Sequence, residues 1–175
     1  MGNKPARIYR IPKKRLYTRR KYMRGTPAPK ITIFDMGDLE NSDKFPVELA
    51  LVAKEPGQIT HNALEAARIA VNRHLTKELG RSGYYLKIKP YPHVVLRENK
   101  QATGAGADRV SDGMSRSFGK AVGLAANVKK NQEIMVVRID PKSYGAAKDS
   151  LRRAASKLPM PCRLAVGKGR DLLML

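Results

Sequence analysis

The sequence predicts an α+β domain, with two helices packed on a mixed, largely antiparallel sheet and an extended basic arm in front of it. Three observations carry this. Two stretches repeat their apolar residues with helical spacing, and runs of strand-like alternation separate them without a regular βαβ succession. A chain of 175 residues with 42% hydrophobic content is enough to bury one core. Eleven lysines and arginines precede the first acid, Asp35, so the charge is gathered at one end.

The elements follow in order. Pro5, Pro12, Pro27 and Pro29 interrupt the first thirty residues, whose apolar positions are few, so this segment reads as an extended arm. From Ile31 the pattern alternates, first in "ITIF" and then in "FPVELALVA", where Val47, Leu49, Leu51 and Ala53 share one face; two strands are expected here. Pro56 and Gly57 make a turn. Thr60 can then cap a helix whose apolar stripe is Leu64, Ala67, Val71, Leu75 and Leu79, with Gly80 as its stop. "YYLKIKPYPHVVLRE" supplies strands broken at Pro90 and Pro92, and "AVGLAANV" and "QEIMVVRID" supply two more, with Asn131 near the turn between them. Asp140 and Pro141 open a second helix with Tyr144, Ala147, Leu151, Ala154 and Leu158 buried and Lys148, Arg152, Arg153 and Lys157 facing elsewhere. "CRLAVGK" is the last strand. Cys162 alternates there with Leu164 and Val166, which makes it a core residue and not a reactive thiol. The expected division is an arm at 1–30, one α+β domain at 31–170 and a short tail at 171–175.

A net charge of +20 exceeds what solubility needs and points to a polyanionic partner, nucleic acid first. An anionic membrane is the rival, but no apolar run is long enough to span a bilayer and no apolar stretch follows the N-terminal charges. The chain is expected to be soluble and intracellular. In the arm, cations can neutralise phosphates while the interleaved Tyr9, Tyr17 and Tyr22 offer faces for base or ribose stacking.

Between the strands lies "NKQATGAGADRVSDGMSRSFGK", residues 99–120, with four glycines. Its "GAGADR" starts like a dinucleotide fingerprint but has Arg109 at the third glycine position. A phosphate loop of the Walker type also fails, because five residues separate Gly113 from Gly119 and Ala121 follows Lys120. The segment 99–117 carries too little apolar area to order itself and is expected to be flexible. His61, His74 and His93 lack metal-ligand spacing, the serines lack a nucleophile elbow, and acid pairs such as Asp108 and Asp112 read as turn residues. No metal and no cofactor are expected. An RNA-processing or RNA-modifying enzyme remains the rival to a binding protein, with an RNA chaperone third.

"YRIPKKRLYTRRKYMRGTPAPKITIFDMG", "ELALVAKEPGQITHNALEAARIAVNRHL", "YPHVVLRENK" and "GAGADRVSDGMSRSFGK" resemble, in that order, the archaeal and eukaryotic ribosomal protein L ten e family, counterpart of bacterial L sixteen and also called the QM protein family. The likeness covers about residues 4–167. It implies a cytoplasmic structural constituent of the large ribosomal subunit, not an enzyme, with a hammerhead-like sandwich fold. The arm would then lie on large-subunit ribosomal RNA through Lys4, Arg7, Arg10, Lys13 and Lys14, and through Arg15, Arg19, Arg20, Lys21 and Arg24. The loop would point toward the peptidyl-transferase centre and the tRNA acceptor end, Ala102, Gly104, Gly106 and Asp108 being the first of its tRNA-proximal residues. Arg109, Ser111, Gly113 and Ser115 would follow, Arg109 being the residue best able to grip a phosphate. Other large-subunit proteins and a subunit maturation or export adaptor are the further partners implied. Eukaryotic members continue into a longer basic tail, whereas this chain stops at Leu175 after "GRDLLML", as an archaeal type would.

Overall fold

Alternating apolar residues pair into eight strands, and three α-helices accompany them, in a computed structural model that describes residues 4–11, 17–115 and 117–173. The strands are β1 (Asp35–Gly37), β2 (Val47–Ala53), β3 (Gly57–Thr60), β4 (Tyr84–Ile88), β5 (Val94–Glu98), β6 (Lys120–Val128), β7 (Glu133–Ile139) and β8 (Cys162–Val166). The helices are α1 (Arg7–Arg10), α2 (His61–Leu79) and α3 (Tyr144–Ala155).

The fold is α+β, as the order of elements predicts, and its strands are antiparallel and divided between two sheets. A five-stranded sheet runs β1-β4-β7-β2-β8 and a three-stranded sheet runs β3-β6-β5, and every pairing in both is antiparallel. Proline marks both passages from the five-stranded sheet to the three-stranded one: Pro56 stands between β2 and β3, and Pro90 and Pro92 stand between β4 and β5. A residue without an N–H cannot continue a ladder, so the chain leaves its sheet there.

The core lies where α2 and α3, packed on each other, cover one face of the five-stranded sheet. Leu49, Leu51, Leu86, Val137 and Ile139 come to it from the strands. Leu64, Val71 and Leu75 come from α2, and Ala147, Leu151 and Ala154 from α3, all with no exposed surface. Ile59, Ala126 and Val128 join the same core, which ties the small sheet to the large one. Thr60 caps α2 by accepting from the Ala63 N–H at 3.3 Å, and Gly80 ends it with φ of 74°. The turn expected near Asn131 is there, with Asn131 itself at φ 62°.

Three local expectations change. "ITIF" forms no strand; β1 begins at Asp35. The register Asp35↔Lys87 would set Thr32 against Pro90, which has no N–H to offer. Gly57, expected in a turn, is the first residue of β3. The second helix opens with a 3-10 turn at Pro141–Ser143, and regular α-helix starts only at Tyr144.

The N-terminal segment is not extended throughout. Arg7–Arg10 is a helical turn packed against β3, and Arg20–Tyr22 is a 3-10 turn. At the other end, Leu173 packs against the core, so the tail is tied down at least that far.

Candidate nucleic-acid interface

The N-terminal segment holds both edges of the three-stranded sheet. On one side α1 rests on β3, where a Cβ built on Gly57 would come within 3.1 Å of the Arg10 carbonyl oxygen and 3.2 Å of that of Tyr9. Glycine leaves room for this approach, whereas a side chain would crowd both carbonyls and push the neighbours back by a few tenths of an ångström. On the other side the Thr18 hydroxyl donates to the Val95 carbonyl at 3.0 Å, and Arg20 Nη2 donates to the His93 carbonyl at 2.9 Å. The Val95 carbonyl belongs to β5, the edge strand, and that of His93 lies just before it, so the segment covers groups that would otherwise be open to another strand.

This docking divides the cations. Arg10 makes a two-point contact with Glu55, Nε to Oε2 at 2.9 Å and Nη2 to Oε1 at 3.1 Å, and Lys4 meets Glu98 at 2.9 Å. Each cation holds its carboxyl partner below the usual carboxylate range through the hydrogen bond. Exposed pairs of this kind are screened by salt and held weakly. Arg7, Arg19, Lys21 and Arg24 are exposed and make no ion pair among the described residues. Lys21 lies over the Tyr22 ring, 4.9 Å from its centroid. Tyr17 and Tyr22 are 66% and 58% exposed, whereas Tyr9 is partly covered. Lys13, Lys14 and Arg15 lie outside the described residues.

The glycine-rich loop is closed at its neck and open at its tip. A Cβ on Gly119 would come within 2.3 Å of the Glu98 carbonyl carbon, so the two limbs meet backbone to backbone. The Arg97 guanidinium stacks over the Phe118 ring at 3.9 Å beside this neck. Farther out, Asn99 Nδ2 donates to the Gly113 carbonyl at 3.2 Å and the Ala102 N–H donates to Ser111 Oγ at 3.3 Å. The tip carries one 3-10 turn, Ala107–Arg109, after Gly104 and Gly106 in positive-φ conformations. Asp108, Arg109 and Ser115 are exposed, as are Val110 and Met114 at 76% and 71%. Arg109 makes no ion pair among the described residues.

The basic face of α3 is partly spent within the molecule. Lys148 lies over the Tyr144 ring and Arg152 reaches Asp149 at 3.4 Å, which leaves Arg153 and Lys157 exposed.

Sequence reasoning missed His61, which it weighed only as a metal ligand. His61 is 6% exposed, and its Nδ1 accepts the Lys30 N–H at 3.1 Å. Burial, with Lys30 nearby, lowers its pKa and favours the neutral ring. It lines a groove of about 570 Å³ with Lys4, Tyr9, Glu98 and Lys157. The signal was its place immediately after the Thr60 cap, where a ring can reach back to the preceding chain. Among the described residues no cluster of His, Cys, Asp or Glu could hold a metal ion, and no helix is long and apolar enough to cross a membrane.

Residues 12–165 match the family model described as ribosomal protein L16p/L10e. The chain belongs to that family. It is similar to the large ribosomal subunit protein uL16 of Methanococcus maripaludis strain C7, 52% identical over 173 residues that cover 99% of each chain. The protein of the same description from Methanoculleus marisnigri is 56% identical over 164 residues, covering 94% of this chain and 95% of its own. That from Methanospirillum hungatei is 54% identical over 166 residues, covering 95% and 96%. The family resemblance carried by the four sequence blocks is borne out, and the rival reading as an RNA-processing enzyme falls with it.

Proposed function

We propose that the chain binds large-subunit ribosomal RNA through its N-terminal segment and supports tRNA placement at the peptidyl-transferase centre through the loop 99–117. Family membership makes it a structural constituent of the large ribosomal subunit, in the cytoplasm with that subunit, and not an enzyme. The observation that supports the RNA reading is the exposed set Arg7, Arg19, Lys21 and Arg24, with no carboxylate among the described residues to neutralise it. Phosphates meet that need and release their counterions in doing so. Arg10 and Lys4, held by Glu55 and Glu98, act first to dock the segment and exchange a carboxylate for a phosphate only where RNA approaches.

The loop contributes reach. Its narrow neck aims it, and its tip presents Arg109, whose guanidinium has five donors and no ion-pair partner among the described residues. Ordering of the tip then comes from RNA or the tRNA acceptor end. Neighbouring large-subunit proteins and a maturation or export adaptor complete the set of partners.

Salt dependence tests the first part. Replacing Arg19, Lys21 and Arg24 together by Gln should weaken binding to large-subunit ribosomal RNA and lower the slope of log affinity against log salt by about 0.7 to 0.9 per lost phosphate contact. An unchanged slope would reject the segment as the RNA-binding surface.

A further inference from the structure

The connector Lys89-Pro90-Tyr91-Pro92-His93 between β4 and β5 alternates its two kinds of side chain. Pro90 and Pro92 are buried, while Tyr91, at 57%, and His93 are exposed. Prolines fix φ and keep the segment extended, so successive residues point to opposite sides and both rings are turned outward. Neither ring stands alone. Tyr91 lies 5.6 Å from Phe34, ring centre to ring centre, at 32°, and His93 lies 5.8 Å from Tyr17 at 36°.

The arrangement is braced from behind. His93 Nδ1 is 3.0 Å from the Tyr91 carbonyl, and the Arg20 and Thr18 bonds to the His93 and Val95 carbonyls hold Tyr17 over His93. Aromatic area left in water gains nothing for the free protein, yet here it is held in place, and Arg19 and Lys21, which make no ion pair among the described residues, follow Tyr17 closely in the chain.

We propose that the Tyr17–His93 and Phe34–Tyr91 ring pairs form a stacking platform for unpaired bases of ribosomal RNA, with Arg19 and Lys21 taking the adjoining phosphates. This rests on the RNA-binding reading above and adds the kind of RNA recognised. Ring faces exposed on a protein surface can take bases splayed apart in a loop or bulge, whereas a duplex keeps its base faces stacked on one another. Unstacked bases laid on aromatic faces are the usual way RNA sequence outside helices is bound.

The test uses the full chain, large-subunit ribosomal RNA, a single-stranded adenine dodecamer and a duplex RNA of equal length. The double variant Tyr17→Leu, Tyr91→Leu keeps apolar bulk but removes two ring faces, and Tyr17→Phe, Tyr91→Phe restores them. With folding checked by circular dichroism, the Leu variant should bind both the dodecamer and ribosomal RNA about tenfold or more weakly, from the alanine-scale loss of stacking. The salt slope and duplex binding should stay unchanged and the Phe variant should bind like the original. Equal affinity of the Leu variant and the original chain would overturn the platform while leaving the RNA reading intact. Equal loss on duplex and single strand, or normal RNA binding with failure to enter subunits alongside other proteins, would also overturn it, the latter marking a protein contact. Absence of ribosomal-RNA binding by the unaltered chain would remove the reading beneath it as well.

Discussion

Leu75 sits with Leu64, Ala67 and Val71 on the stripe of α2 that meets α3 and the sheet, with no exposed surface at any of the four. Truncation of Leu75 to Ala should cost about 2 to 5 kcal/mol, read from the denaturant midpoint at constant m-value. A loss under half a kcal/mol would show that this stripe is not the core. Cys162 on edge strand β8 is half-buried against the same core, and burial pushes its thiol up to about 11. The thiolate is the reactive form, so alkylation in the native protein should rise roughly tenfold per pH unit between pH 8 and 10 and level off only near 11. The sign follows from the raised value: the native state keeps its proton longer than the unfolded chain, and stability from this group is present below the ordinary thiol pKa and is lost as pH climbs through 11. Rapid alkylation at pH 8, as for a free thiol, would contradict the packed environment.

Helix positions were legible because a 3.6-residue period survives any sheet arrangement, and Thr60 and Gly80 mark the ends of α2 by local chemistry alone. Strand partners were not. "ITIF" has the alternation of a strand but meets a proline across the gap, and nothing local in Gly57 says that Arg10 and Tyr9 will press against it. The pairing of Lys4 with Glu98 and of Arg10 with Glu55 joins residues far apart in sequence, so charge counting overstated how much of the arm is free. Two predictions belong to these elements. Gly57→Ala should lift α1 from β3 and speed tryptic cleavage after Arg7 and Arg10 while the far-ultraviolet spectrum holds; unchanged cleavage would mean that the contact does not restrain the segment. Deleting residues 104–112, beyond the pinched neck at Gly119, should leave folding and entry into the large subunit intact but lower P-site tRNA occupancy. Loss of the protein from subunits would make the loop an assembly anchor instead.

Across the whole molecule the two sheets, joined by one core, carry a net charge of +20, the excess left after every Asp and Glu is set against a Lys or Arg. Such a surface repels itself even with its charges in water, and its affinity is directed at a polyanion and falls steeply with salt. The rigid body supplies position: it holds the N-terminal segment along both edges of the small sheet and aims the loop from between β5 and β6. Sedimentation of the tagged chain from lysate of its source cells at moderate salt tests this account most directly. The chain should comigrate with large ribosomal subunits, in near one-to-one amount with their ribosomal RNA, and leave them as salt is raised. A soluble pool with none on the subunits would contradict it.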